Sequence, residues 1–419
     1  MPLKKGSPGL VLPIRTATPS SVRAVNRSIM LELIRRRQPV SRADLARLTG
    51  VFRSSVSDIV DELVEEGLVA EERAVPSQRG RVPMSLRLHD AGYPVLGLNI
   101  RPAYCQIARA GLNGRIHDSL TFQTPASPKR LVQAVARAIR RWELEAGRAS
   151  TPKFRRIGIA IPGHVDAPSG RILWTPTHQE LADFPITREV CEHTGIEALA
   201  DNDCNLGALS ELWLGNEASK ERSANFVFLN VSDFGAGAGA VLNGEIYLGH
   251  DANFAAEVGH MVVEPRGIAC RCGRRGCWER YVSNEATWRR IHPRTAFTVE
   301  RFNEMLAAGL NGERRALAAF RETARYLSLG ISNIGFLFNP AEVIVAGRIT
   351  AIWELLRADV ERLSGAAQLR QAIRPARFSA DDSLLHGAVC LALRDAFAKP
   401  RFGEMTARDR ETAETAETA

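Results

Sequence analysis

Between Ser28 and Arg37 apolar residues fall at Ile29, Leu31, Leu33 and Ile34, a spacing that predicts a first helix. SRADLARLTG (41–50) then offers Ser41 as a helix N-cap, Leu45 and Leu48 as apolar positions and Gly50 as a stop. A third helix, from about Ser54 to Glu66, turns Val56, Ile59, Val60 and Leu63 to one side. Two apolar stretches around PSQRGRVP (76–83) close the segment as a hairpin. Three helices followed by a hairpin is the order of a winged helix-turn-helix, an α+β module.

From Gly92 the pattern changes. VLGLNI (95–100), CQIARAGL (105–112) and RIHDSLTF (115–122) read as short strands joined by turns at Arg101-Pro102 and Asn113-Gly114. An amphipathic helix follows from Lys129 to about Glu145, with Leu131, Val132, Val135, Ala136 and Ile139 on one face, and then the strand RIGIAIPG. The order recurs as NFVFLNV, GAGAVL, an Asn243-Gly244 turn, EIYLG, helices and EVIVAGR. Two such halves predict a duplicated α/β fold with a cleft between its lobes. The domains expected are a tail over 1–20, a winged helix over 21–90, an effector domain over 91–400 and a second tail over 401–419. Both tails are expected to be disordered, the first for its basic, Pro- and Gly-rich composition and the second for its ETAETAETA repeat.

Charge sharpens this division. The 419 residues carry a formal charge of +8, and residues 1–90 hold 15 Lys and Arg against 10 Asp and Glu. The surplus therefore concentrates on the winged segment, which points to a polyanion such as duplex DNA. Arg53, Ser54, Ser55 and Ser57 at the start of the third helix suit base edges and phosphates of a major groove, and Arg79 and Arg81 suit the backbone or minor groove. A three-helix bundle used for protein contacts is the competing reading. The run Arg35-Arg36-Arg37 reads equally as a DNA patch or a solvated face. Seven cysteines, three of them within 270–277, do not form a secreted disulfide pattern, and no segment has the apolar length of a membrane span or the layout of a signal peptide. A cytoplasmic, nucleoid-associated protein is expected.

The sharpest chemistry lies in EVGHMVVEPRGIACRCGRRGCWE (257–279). His260, Cys270, Cys272 and Cys277 offer one imidazole and three thiolates, a complete tetrahedral set for zinc with no position left for water, so a structural metal is expected. Three free buried cysteines beside a core histidine is the alternative. This stretch resembles the signature of the ROK family, the repressors, open reading frames and sugar kinases. IGIAIPGHVDAPSGRI (157–172), DNDCNLGALSE (201–211) and GAGAVLNGEIYLG (237–249) resemble further family segments. With the winged helix, the resemblance covers about Asn26 to Asp395 and is to the regulator branch, similar to the glucose, N-acetylglucosamine and xylose repressors.

The resemblance implies an actin-like ATPase fold of sugar-kinase type. It also implies a carbohydrate site formed by Asn202, Asp203, Glu257, His260 and Glu279, with Asp203 in the place of the kinase base. Trp174 and His178 are further candidates for the pocket wall. The phosphate loops depart from the family: Asn99-Ile100-Arg101-Pro102 stands for Asp-x-Gly-Gly-Thr, Asp233-Phe234-Gly235 for Gly-Thr-Gly, and Arg348 for a common glycine. The function expected is a sugar-responsive repressor without kinase activity, a homodimer or tetramer on a palindromic operator, with zinc as its cofactor and a monosaccharide or sugar phosphate as effector. Two other readings stand beside it: an ATP-dependent sugar kinase with a DNA-binding appendage, and a repressor controlled by docking of a regulatory protein.

Overall fold

The computed structural model describes residues 19–73, 84–146, 154–176, 178–215, 223–250 and 255–397. The expected tail over 401–419 lies outside these residues, as do the hairpin tip with Arg79 and Arg81 and the expected tail over 1–20 except Pro19 and Ser20, which are helical. The chain divides into two compact units, Pro94–Leu393 and the residues before it together with Arg394 onward.

In the first unit, α1 (Pro19–Arg37), α2 (Arg42–Thr49) and α3 (Arg53–Glu65) precede β1 (Val69–Arg73) and β2 (Met84–Leu88), which pair antiparallel. Met30, Leu31, Ile34, Leu45, Val56, Ile59, Val60, Leu63 and Leu86 form its interior. Helix α1 begins nine residues before the apolar spacing predicts. Its added turns show no continuous apolar face, and they are held by contacts no local pattern reveals: Arg23 and Arg27 reach Glu62 and Glu66 on or beside the end of α3. Arg35 and Arg36 both pair with Glu32, so these two arginines of the basic run are engaged within their own helix.

Helix α2 forms where the sequence places it. The Ser41 hydroxyl oxygen accepts from the Asp44 N–H at 3.1 Å, the Asp44 carboxylate accepts from the Ser41 N–H, and Gly50 ends the helix at φ 71°. Arg47 and Ser41 hold the Asp44 carboxyl down at about 2, below its ordinary 3.8. Asp44 therefore contributes stability in full above about pH 4, and loses it as pH falls toward 2. Ser41→Ala is expected to cost about 1 kcal/mol in urea unfolding at neutral pH, with a smaller penalty at pH 2, where Asp44 is half protonated and its part of the box is weakened.

The second unit holds two five-stranded sheets of the same design. In the first, β3 (Val95–Ile100), β4 (Tyr104–Ala110) and β5 (Ile116–Gln123) form an antiparallel meander. Helix α4 (Pro128–Ala146) then leads to β6 (Arg156–Ile161), which runs parallel to β3. The small hairpin of β7 (His164–Asp166) and β8 (Arg171–Trp174) and helix α5 (Ile186–Thr194) lead to β9 (Glu197–Asn202), parallel to β6. Helix α6 (Asp203–Leu214) follows.

The second sheet repeats the order β5-β4-β3-β6-β9 with its own strands. Strands β10 (Phe226–Val231), β11 (Ala236–Leu242) and β12 (Glu245–Ile246) make the meander. After the short α7 (Glu279–Val282) and α8 (Asn284–Arg289) come α9 (Val299–Leu310) and α10 (Arg314–Phe338). Strand β13 (Glu342–Gly347) lies parallel to β10. Helices α11 (Trp353–Ser364) and α12 (Ala366–Leu369) lead to β14 (Ala372–Pro375) and then α13 (Ala380–Leu393). Apolar faces of α4 and α5 cover the first sheet, and those of α9, α10 and α11 cover the second.

Helices α6 and α13 hold equivalent places after the last strand of each half and pack on each other and on both sheets. Their closeness depends on glycine: a Cβ on Gly387 would stand 1.9 Å from the Leu206 carbonyl, and one on Gly158 would stand 1.9 Å from that of Ala388. Because the two helices meet here, their N-termini, Asp203 and Asp381, come into reach of the same loops.

Candidate functional site

The end of β9 and the start of α6 deliver two of the expected sugar residues. The Asn202 side-chain oxygen caps α6 by accepting from the N–H groups of Cys204 and Asn205 at 2.8 and 3.2 Å, and its amide donates to the Gly163 carbonyl at 2.8 Å. That leaves one amide N–H for a ligand. Asp203 is buried, and burial pushes its carboxyl upward, opposed by the Arg101 guanidinium at 3.4 Å and reinforced by the charge of Glu257. Glu257 Oε1 in turn lies 3.2 Å from His164 Nε2, and the His164 ring lies 5.5 Å from that of half-exposed Trp174. Gly163 and His164 of the PGHVD segment, Asn202, Asp203 and Glu257 are thus brought together, with Trp174 beside His164. His164 was not singled out from sequence; its signal was its place inside a segment already noted. His178 Nε2 is buried and has no hydrogen-bond partner among the described residues.

A single turn of 3₁₀ helix, Val258–His260, joins Glu257 to the cysteine cluster. One ligand atom from each of His260, Cys270, Cys272 and Cys277 lies within 4.8 Å of the others, so the four could hold a metal ion. Cys272 and Cys277 Sγ are 3.5 Å apart, and Cys270 Sγ is 3.7 Å from His260 Nδ1. Metal–sulfur bonds of about 2.3 Å in a tetrahedron put sulfurs about 3.8 Å apart, so the donor set fits a zinc-sized ion. The turn is tight because Gly276, at φ 73°, lies against Glu264, whose carbonyl a Cβ would meet at 1.7 Å. A hydrogen bond from the Arg274 N–H brings the Cys272 thiol down to about 6, whereas burial pushes Cys270 and Cys277 up. Glu279 Oε1 stands 3.0 Å from Cys270 Sγ and 3.8 Å from His260 Nδ1. Trp278 fixes the segment to α10 by donating to the Tyr326 carbonyl at 2.7 Å. All five expected sugar residues therefore sit on elements anchored either to α6 or to the cluster.

The three loops that depart from the phosphate-binding pattern surround a cavity of about 340 Å³ lined by Arg101, Asp233, Asn284, Arg348, Thr350 and Asp381, among others. Arginines and aspartates pair with one another there. Arg101 Nε lies 3.2 Å from Asp381, and Arg348 Nε lies 3.3 Å from Asp233, which also accepts from the Asn284 amide at 2.7 Å. Asn99 is fully buried and donates to the Asp381 backbone carbonyl. Phe234 packs edge-on against Phe297.

In the first unit, Arg53 and Ser54 are exposed at the start of α3, and Ser55 and Ser57 are half-buried beside them. Phe52, 84% exposed at the N-cap position, has no side-chain acceptor for the helix N–H groups. Sequence reading passed over Phe52 because its apolar side chain fits neither the buried face nor the expected polar set. Arg42 is tied to Asp61 and Glu71 and so serves the packing of this unit.

The ROK family sequence profile matches residues 95–395, and a MarR family profile matches residues 25–80. A xylose repressor of Bacillus spizizenii is 30% identical over 334 residues, 78% of this chain and 83% of that repressor. A solved ROK-family transcriptional regulator, a homologue of the Escherichia coli MLC protein, superposes with a TM-score of 0.76 at 22% identity, over 90% of this chain and 98% of that one. A ROK hexokinase from Thermus thermophilus superposes with a TM-score of 0.59 at 28% identity, over 72% of this chain and 99% of its own. The first unit is a MarR-like winged helix and the second has the actin-like kinase fold. With the family profile spanning the whole duplicated unit, the chain belongs to the ROK family.

Proposed function

We propose that the chain is a transcription repressor whose hold on DNA is set by a monosaccharide or sugar phosphate bound between Asp203, Glu257, His260 and Glu279. The observation that carries this reading is one chain joining a winged helix to a ROK unit in which the sugar-facing groups gather while arginine–aspartate pairs fill the phosphate-loop region. Paired carboxylates accept from vicinal hydroxyls, and the remaining Asn202 N–H donates. Within the cleft Arg101 and Arg348 already neutralise the carboxylates that would otherwise attend a metal nucleotide, so we expect no phosphoryl transfer and assign Asp203 a binding role.

His260, Cys270, Cys272 and Cys277 would hold zinc. With four protein donors such an ion supplies a structural cross-link and no Lewis-acid chemistry. His260 would turn Nδ1 to the metal and leave Nε2 for the sugar, so that the cluster orients the pocket. On the first unit, Arg53, Ser54, Ser55 and Ser57 would enter a major groove, with Arg79 and Arg81 tracking the backbone. A dimer or tetramer in the cytoplasm would place two such faces on a palindromic operator. Arg53→Ala is expected to weaken operator binding by about 1–3 kcal/mol, roughly 5- to 150-fold, in a fluorescence-anisotropy titration at fixed salt; an unchanged affinity would remove Arg53 from the interface.

Calorimetry on the zinc-loaded chain with D-xylose, D-glucose, N-acetyl-D-glucosamine, their phosphates and magnesium ATP tests the ligand assignment. Binding of one sugar without ATP is the expected result. Binding of ATP with turnover of a hexose would establish the kinase reading, for which the hexokinase likeness and Asp203 are the supporting observations. Silence toward every sugar would transfer control to a docking protein.

A further inference from the structure

Arg101 leaves the β3–β4 turn with its backbone fixed: its N–H donates to the Tyr104 carbonyl at 2.9 Å, and its carbonyl accepts from the Thr124 hydroxyl at 2.7 Å. Its guanidinium is largely buried and serves two carboxylates, Asp203 Oδ2 from Nη1 at 3.4 Å and Asp381 Oδ1 from Nε at 3.2 Å. Tyr104 donates to the other oxygen of Asp381 at 2.7 Å, and the Asn99 amide donates to the Asp381 carbonyl. One cation is thus shared between the first residue of α6 and the first turn of α13. Without that cation the buried Asp203 carboxylate would lose its compensation.

The far end of α13 matters as much. It is followed directly in the chain by Arg394–Phe397, which belong to the compact unit of the winged helix. There Phe397 is buried and the Arg35 guanidinium of α1 lies over its ring at 5.7 Å. A helix whose start is tied through Arg101 to Asp203 therefore runs covalently into residues packed on the first helix of the DNA-binding unit.

We infer that Arg101 is the positioning residue of the sugar site: it fixes Asp203 as a hydrogen-bond acceptor and, by sharing its guanidinium with Asp381, ties occupation of that site to α13. The inference rests on the sugar reading above and names the regulation of that site. A sugar hydroxyl donating to the carboxylate that Arg101 holds ionised draws part of the Asp203 charge away from the guanidinium. The guanidinium then shifts its weight to Asp381, and α13 registers the change. Lysine cannot replace it, since one ammonium lacks the planar fork that spans two acceptors.

The experiment measures sugar affinity by calorimetry and sugar-driven release of DNA by anisotropy, using the full zinc-loaded chain, the three sugars above and a duplex selected by binding from random sequence. Arg101→Gln is expected to lower sugar affinity at least tenfold, with Arg101→Lys between it and the unaltered chain. Asp381→Asn keeps the Arg101–Asp203 pair, so it is expected to bind sugar yet lose most of the release. Arg101→Gln and Asp381→Asn variants that bind and release within threefold of the unaltered chain overturn the inference alone. Should Arg101→Gln fail to fold, the Lys and Asn variants carry the same decision. An unaltered chain that binds no sugar overturns both this inference and the reading beneath it.

Discussion

Cys277→Ser is expected to abolish metal binding and lower the melting temperature of the second unit by about 10 °C, corresponding to about 3–5 kcal/mol. Cys277 is fully buried, and its sulfur lies 3.5 Å from that of Cys272. A three-ligand remnant holds zinc weakly, and the metal's binding free energy is lost from folding. The damage does not stop at the cluster. Trp278 follows Cys277 directly and is seated against Gly330 of α10, where any Cβ would fall 2.0 Å from its ring. Glu279 begins α7 one residue later, so sugar affinity should fall together with stability. Zinc content by mass spectrometry and scanning calorimetry measure the two effects. Cys191→Ser, at an exposed cysteine outside the cluster, should change neither. Equal zinc content and melting temperature in the Cys277 variant would show that the four residues hold no structural metal.

Gly158→Val should be the most damaging change away from any ligand, costing about 3 kcal/mol or more and cutting soluble yield. Its Cβ would stand 1.9 Å from the Ala388 carbonyl oxygen and 3.1 Å from the Ala392 nitrogen. Both obstacles are backbone of α13, which cannot rotate aside as a side chain can. The helix would have to lift from β6, moving with it the Asp381 end that meets Arg101. Gly312→Ala separates packing from conformation. Gly312 has a φ of 85° with nothing near its Cβ position, so only the left-handed backbone penalty of about 1 kcal/mol applies. Urea unfolding of the two variants should differ by at least about 2 kcal/mol. Equal losses would mean that the contact of α13 with β6 yields easily.

What could be read from sequence follows the range of the interactions involved. Helix α2 was legible to the residue because Ser41, Asp44 and Gly50 act within one helix. The meander strands and the strand that follows the helices in each half were legible from local alternation and turns, although EIYLG contributes only Glu245 and Ile246 as strand, whereas β7, β8, β9 and β14 were not read from sequence. The His–Cys cluster was legible because its three cysteines fall in eight residues. By contrast, the early start of α1 depends on glutamates 39 residues away. Arg101 could be read as a departure from the phosphate loop, but its partners at Asp203 and Asp381 are set by how α6 and α13 converge. Asn202 was expected to face sugar, and the helix-capping role that takes most of its hydrogen bonds depends on where β9 ends. His164 enters only because the β7 hairpin brings it to Glu257.

The most direct test of the central claim is the affinity of the zinc-loaded chain for a duplex selected by binding from random sequence, measured by anisotropy with and without saturating D-xylose, D-glucose or N-acetyl-D-glucosamine. The account predicts that one of these sugars weakens operator binding at least tenfold, with DNA weakening that sugar's binding by the same factor. Tight operator binding that no sugar changes would contradict it.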